Sequence, residues 1–135
     1  MAKKKKKRQK RNTKPRRVNY NGVDKHHICW TRRSWNSGYV MELRLHPYCV
    51  VLIPRDTLHH LIHSEMKCIP PPSNRNAKTA LFHLNILSQA GAISYDDPIE
   101  KRLKILIALF DCIEQPTADA FREQLRIVCE YKNPL

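Results

Sequence analysis

The sequence contains no Cys-x-x-Cys pair and no acidic residue between Lys3 and Arg17. No apolar run approaches the ~20 residues needed to span a bilayer. Each absence narrows the reading. The five cysteines (Cys29, Cys49, Cys68, Cys112, Cys129) are odd in number and widely spaced. That speaks against a disulfide framework and against a zinc ribbon, so they are expected as reduced, mostly buried thiols. No membrane span is expected. The basic start is not followed by the apolar stretch of a secretory signal. The expected location is therefore intracellular: cytoplasmic, or nuclear in a eukaryote.

What is present in excess is positive charge, and it is concentrated. The chain has 135 residues and a formal net charge of +13, from 25 Lys plus Arg against 12 Asp plus Glu. Lys3 to Arg17 holds 11 of the positive residues, which leaves 14 against 12 elsewhere. A segment with self-repelling charge and nothing apolar to bury is expected to be disordered in isolation. Residues 1–20 are therefore read as a polybasic tail and 21–135 as a single domain. Polyanions are the natural partners, because neutralising phosphates releases condensed counterions. Lys3, Lys4, Lys5, Lys6, Lys7 and Arg8 are the densest candidates for nucleic-acid contact. A solvated tail, an import signal or an anionic-membrane contact would share the same composition.

Beyond the tail, the segment after Val23 to Trp30 has the length of a strand, and Thr31 to Gly38 is a polar loop. Tyr39 to Leu45 fits a short helix or a strand, and His46-Pro47 ends it. Tyr48 to Ile53 is an apolar run suited to a buried strand. Pro54 closes that run, and Asp56 is placed to cap a helix reaching about Lys67. Ile69 to Asn74, with three prolines, is a stiff connector.

Three helices are expected in the remainder. The first spans about Asn76 to Ala90, with Gly91 as its stop. The second opens on Asp97-Pro98-Ile99-Glu100 as cap, first-turn proline and acid. Its stripe is Ile99, Leu103, Leu106, Ile107, Phe110 and Ile113. The third follows Pro116-Thr117, with Phe121, Leu125 and Val128 inward. These helices are expected to be structural, and His83 an ordinary helix histidine.

Six of the seven histidines fall between positions 26 and 63. His26 and His27, adjacent on a strand, point to opposite faces. On the helix, Leu58, Leu61, Ile62 and Met66 form the inward stripe. His59 and His63 lie beside it, one turn and roughly 40° apart, while His60 faces solvent. Two imidazoles at i, i+4 can grip one ion. The zinc-protease helix shares this spacing, but it needs Glu directly after the first His, and position 60 is His. A metalloprotease is therefore not expected. The Cys-Cys-His-His pattern of a zinc finger is also missing.

The order of strand with His-His, then strand, then helix with His-x-x-x-His resembles the HNH endonuclease family and its ββα-metal fold. The colicin-type, histidine-rich members are the nearest in pattern. The matching residues are Asp24-Lys25-His26-His27-Ile28 and Leu58-His59-His60-Leu61-Ile62-His63, about a third of the chain. The resemblance implies an α+β fold: a ββα-metal core over about 24–68, and additional C-terminal helices over about 74–133. It implies one divalent metal ion held by His26, His59 and His63. It further implies that His27 is the general base for hydrolysis of phosphodiester bonds in nucleic acid, DNA before RNA.

An imidazole can accept that proton near neutrality. The nitrogen-only donor set suits zinc, nickel or manganese better than magnesium. The family usually has an Asn shortly before the helix, and Val50 to Asp56 contains none. His46 or Asn36 could substitute, with His46 preferred as a second catalytic candidate.

Around this constellation, Arg32, Arg33, Arg44 and Arg55 are candidates for phosphate contacts, and Trp35 for base stacking, with Trp30 read as a loop anchor. Two other classes fit the same sequence. One is a non-catalytic nucleic-acid-binding module stapled by a structural metal. The other is an interaction protein that docks a partner through its C-terminal helices and is localised by its tail.

Overall fold

The computed structural model describes residues 22–28, 38–66 and 71–133. Among these the protein is α+β: five α-helices and one two-stranded antiparallel sheet. Strand β1 (Val23–His27) pairs with β2 (Val50–Pro54), with Asp24 opposite Ile53 and His26 opposite Val51. The ladder continues past both ends of β1, as Ile28 N–H donates to Cys49 O and Arg55 N–H to Gly22 O. Alternation along β1 places Asp24, His26 and Ile28 on one face, of which His26 and Ile28 are buried. His27 lies on the other face and is half-buried.

Helix α1 (Tyr39–Leu45) settles the helix-or-strand ambiguity in favour of helix. A single 3-10 turn, Pro47–Cys49, then leads into β2. The apolar run expected as a strand from Tyr48 is thus extended only from Val50, because Pro47 starts that turn. Its first N–H groups need acceptors, and His46 Nδ1 takes the one from Tyr48 at 3.1 Å.

After Pro54 the chain makes a wide π turn, Arg55–His59, that runs directly into α2 (His60–Glu65). Asp56 does not cap this segment: Pro54 occupies the cap position, and no side-chain cap bond forms. Leu58 and Ile62 are buried, with Leu61 and Met66 half-buried beside them, as the stripe predicts.

Helix α3 (Asn74–Gln89) starts two residues before its expected position because Ser73 accepts the Asn76 N–H, a conventional side-chain cap. Gly91, at φ 74°, ends it in the left-handed conformation that glycine adopts without steric cost. Helices α4 (Ile99–Asp111) and α5 (Gln115–Lys132) pack against each other through Leu103, Leu106, Phe110, Ala118, Phe121 and Val128. The Phe110 and Phe121 rings meet edge to face at 5.6 Å.

Two expectations are corrected here. Asp97 does not cap α4, since its carboxylate accepts instead from Tyr48 OH at 2.9 Å and from Ser94 N–H at 3.1 Å. Among the described thiols burial is not the rule: Cys49 is buried, but Cys112 and Cys129 are exposed, one just past α4 and one on the outer face of α5. Cys29, Cys68 and the 1–20 tail lie outside the described residues.

Arg102, only 4% exposed, ties the helical half to β2. Its guanidinium donates to Asp97 O at 2.7 Å, Val50 O at 2.9 Å, Pro47 O at 3.1 Å, Tyr48 O at 3.3 Å, and to Tyr95 O. No described helix is long and apolar enough to cross a membrane.

Candidate metal centre

Three histidines converge where the π turn and α2 lie against β1. His26 comes from the inner face of the strand, and His59 and His63 come from successive turns of the helical segment. Ring centroids are 5.3 Å apart for His26 and His59, 5.8 Å for His26 and His63, and 4.6 Å for His59 and His63. One potential donor atom from each lies within 4.8 Å of the others. The burial is graded: His26 is 3% exposed, His59 half-buried and His63 exposed. A cleft of about 530 Å³, lined by Asp24, Arg55, Asp56, His59, His60 and His63, opens the cluster to solvent.

Neighbouring groups set the proton positions on two of the rings. Gln124, on α5 and 1% exposed, donates its amide N–H to Ile28 O at 3.2 Å. A carbonyl can only accept, so the amide nitrogen must face Ile28 and the amide oxygen must face His26. That oxygen lies 2.7 Å from His26 Nε2, which therefore carries the ring proton. His26 Nδ1 is then a bare lone pair. It is also the one described buried side-chain nitrogen or oxygen without a hydrogen-bond partner. On the other side, Asp24 Oδ2 accepts from His59 Nδ1 at 3.2 Å, and Asp24 Oδ1 accepts from Arg55 Nε at 2.9 Å. His59 is thereby left with Nε2 as its free donor.

Orphaned buried nitrogens are rare in folded proteins because each forfeits its hydration. An imidazole lone pair that faces two more imidazoles meets the donor requirements of a divalent ion. The residues present thus fit a three-nitrogen site with positions left open to the cleft. The carboxylate behind His59 and the amide behind His26 are the outer partners that such ligands usually have.

The electrostatics favour neutral rings. Burial pushes the His26 pKa down to about 3, reinforced by the proximity of His59, His63 and His27 and opposed by the Gln124 hydrogen bond. His27 is lowered to about 4, first by burial and then by the positive charges of Arg44 and Lys25 and by His59. His63 is lowered by burial, His59 and His60. His26 and His27 are neutral at pH 7, and His63 is shifted in the same direction, toward the deprotonated form that metal ligands and proton acceptors need.

The other sequence candidates divide. Arg55 lines the cleft, but its guanidinium holds Asp24 and donates to Val23 O at 3.3 Å. Arg44 is buried near the end of α1, close enough to His27 to depress its pKa. His46 lines neither the cleft nor the cluster. Its Nδ1 accepts from Tyr48 N–H, the Asn85 side chain is a further partner, and its pKa is lowered mainly by burial. His83 sits on α3 beside Phe82, away from the cluster. Arg32, Arg33, Trp30, Trp35, Asn36 and the lysines of the tail lie outside the described residues.

Sequence reasoning missed Gln124 and Asp24. For Asp24 a signal existed, since β-strand alternation places it on the face of His26. For Gln124 the only hint was a polar residue at an inward position of α5, between Phe121 and Val128. Comparison of the chain with family models, with curated proteins and with solved structures gives no match.

Proposed function

We propose that the protein is a metal-dependent nuclease of the ββα-metal type, hydrolysing phosphodiester bonds of nucleic acid, with DNA as the first substrate to test. The observation that carries this reading is the unpartnered Nδ1 of buried His26, in a ring packed against those of His59 and His63, with a second, half-buried imidazole at the next strand position. His26, His59 and His63 would hold the ion. When bound, such an ion stabilises the negative charge that develops on the phosphate and leaving oxygen.

His27 has the properties of the general base. It is neutral at physiological pH, and it follows a ligand directly in sequence while projecting from the opposite face of β1. It therefore need not ligate, and since it does not line the cleft it acts as base only on a water that the bound substrate brings to that face of β1. Arg44, beside it, supplies positive charge for a phosphate, and Arg55 keeps Asp24 directed at His59. The polybasic tail is read as a sequence-independent contact to the same polyanion.

The test uses metal-stripped full-length protein and supercoiled plasmid, with manganese, nickel, zinc or magnesium added back, beside a His27→Ala variant. Nicking by the wild type that is lost in His27→Ala, while that variant still binds its ion, is the expected result. Metal uptake without cleavage of plasmid or of RNA would replace this reading with that of a nucleic-acid-binding module stapled by metal. The hydrogen bonds that join the His26 strand to α5 would suit such a staple. Absence of metal uptake would end both.

A further inference from the structure

Gln124 is hard to explain as packing. It lies on the inner face of α5 among Phe121, Ile127 and Val128, and burying a primary amide there is unfavourable unless all its polar atoms are paired. Its oxygen and nitrogen both go to β1 and the residue after it, on His26 and Ile28. An apolar side chain would fill the same space without that requirement. What the amide adds is direction: it has an acceptor where His26 Nε2 sits, and its own orientation is fixed by a carbonyl that cannot be satisfied the other way round.

We propose that Gln124 is a positioning residue of the metal centre: by accepting the Nε2 proton of His26, it holds that imidazole in the tautomer whose Nδ1 lone pair faces His59 and His63. This inference rests on the metal reading given above and adds the nitrogen assignment and the residue that enforces it. In the opposite tautomer His26 would set its Nε2 lone pair against the Gln124 oxygen and aim an N–H at the two other rings, where a cation could not be received. Asp24 does the same for His59 with the opposite result, since it takes Nδ1–H and leaves Nε2. The site is thus served by two different ring nitrogens, each selected by a partner from outside the His-x-x-x-His segment. The α5 helix is part of the centre, not only its cover.

The experiment uses full-length protein, wild type and the variants Gln124→Leu and Gln124→Glu. Long-range 1H–15N correlation spectra of the metal-free wild type at pH 7.5 read the His26 tautomer directly. The proton is expected on Nε2, with Nδ1 bare. Zinc affinity is then measured by competition with a chromophoric chelator. Gln124→Leu should weaken it by about 10- to 100-fold, the range for removal of an outer-shell partner, and should populate both His26 tautomers. Gln124→Glu keeps an acceptor for Nε2–H but sets its second oxygen against Ile28 O, so it should recover the affinity only in part, to a value above that of Gln124→Leu.

A wild-type spectrum with the proton on Nδ1 overturns the positioning role whether or not the variants fold. Unchanged zinc affinity in a folded Gln124→Leu does so as well, and leaves the metal site standing. A wild type with the Nε2–H tautomer that takes up no zinc fails differently: the metal reading falls and takes this proposal with it.

Discussion

Arg102 and His26 are equally buried, at 4% and 3% exposure, and each fastens a helix of the C-terminal half to the strand region. Around Arg102 the hydrogen bonding closes. The guanidinium reaches five backbone carbonyls, Tyr48 OH reaches Asp97, and Lys101 pairs with the remaining Asp97 oxygen at 3.2 Å. Around His26 it does not close: one nitrogen is bonded to Gln124, and the other has no partner, in a ring packed edge-on against two further imidazoles. A satisfied buried network has nothing left to offer a ligand and serves architecture. An unsatisfied one keeps a donor in reserve, and that is where chemistry is to be sought.

The largest effect should come from breaking the closed network. Arg102→Met would strip five carbonyls of a charged donor, and a loss of about 3–5 kcal/mol is expected from removing a buried partner of this kind. Urea denaturation measures it, and the folded fraction should still bind zinc as the wild type does. If zinc binding vanished while the fold persisted, the separation between the two clusters would be wrong.

The open cluster should behave in the opposite way. Zinc at about 100 times its dissociation constant should raise wild-type stability by about 2.7 kcal/mol. His26→Ala should abolish that increment, with a smaller change in the metal-free protein. Thermal melts with and without zinc read both.

Acid should discriminate next. His26 and His27 have folded pKa values of about 3 and 4, below the ordinary 6.5. Between those values and 6.5 the unfolded chain binds more protons than the folded one, so stability rises with pH through this window. It is fully present above about 6.5 and is lost as pH falls toward 4. The depressed carboxylates of Asp97 and Glu100 add their loss only at lower pH. Denaturation of metal-free protein at pH 7.5 and pH 5 should therefore show a decline that His26→Asn flattens.

The smallest effect should be that of Asp24→Asn. The amide oxygen can still accept from His59, so zinc affinity should fall by about tenfold, the lower end for an outer partner. The partly exposed Arg55 ion pair contributes under about 1 kcal/mol to stability. A stability loss much larger than this would assign Asp24 to the architectural side.

Much of this arrangement was legible beforehand, for local reasons. The His59 and His63 pair follows from helix geometry over four residues, and the opposite facing of His26 and His27 follows from strand alternation. The α4 stripe and the Gly91 stop are likewise short-range. What failed depended on contacts, near and far in sequence, that residue type and spacing do not specify. Asp97 has the sequence context of a helix cap, yet Tyr48 and Ser94 claim its carboxylate. Asp56 has the same context, but the chain enters α2 through a π turn that asks for no side-chain cap. His46 Nδ1 accepts the Tyr48 N–H at the start of the Pro47–Cys49 turn, a contact that the proposal of His46 as a catalytic residue did not include.

The sequence by itself determined which side chains could ligate and along which elements they would be spaced, because rise and twist per residue are properties of the backbone. Only the tertiary structure decided which nitrogen of His26 is bare, since that depends on Gln124, nearly a hundred residues away. Periodicity specifies a face, but a ring proton is placed by whichever acceptor the packing of α5 brings to 2.7 Å.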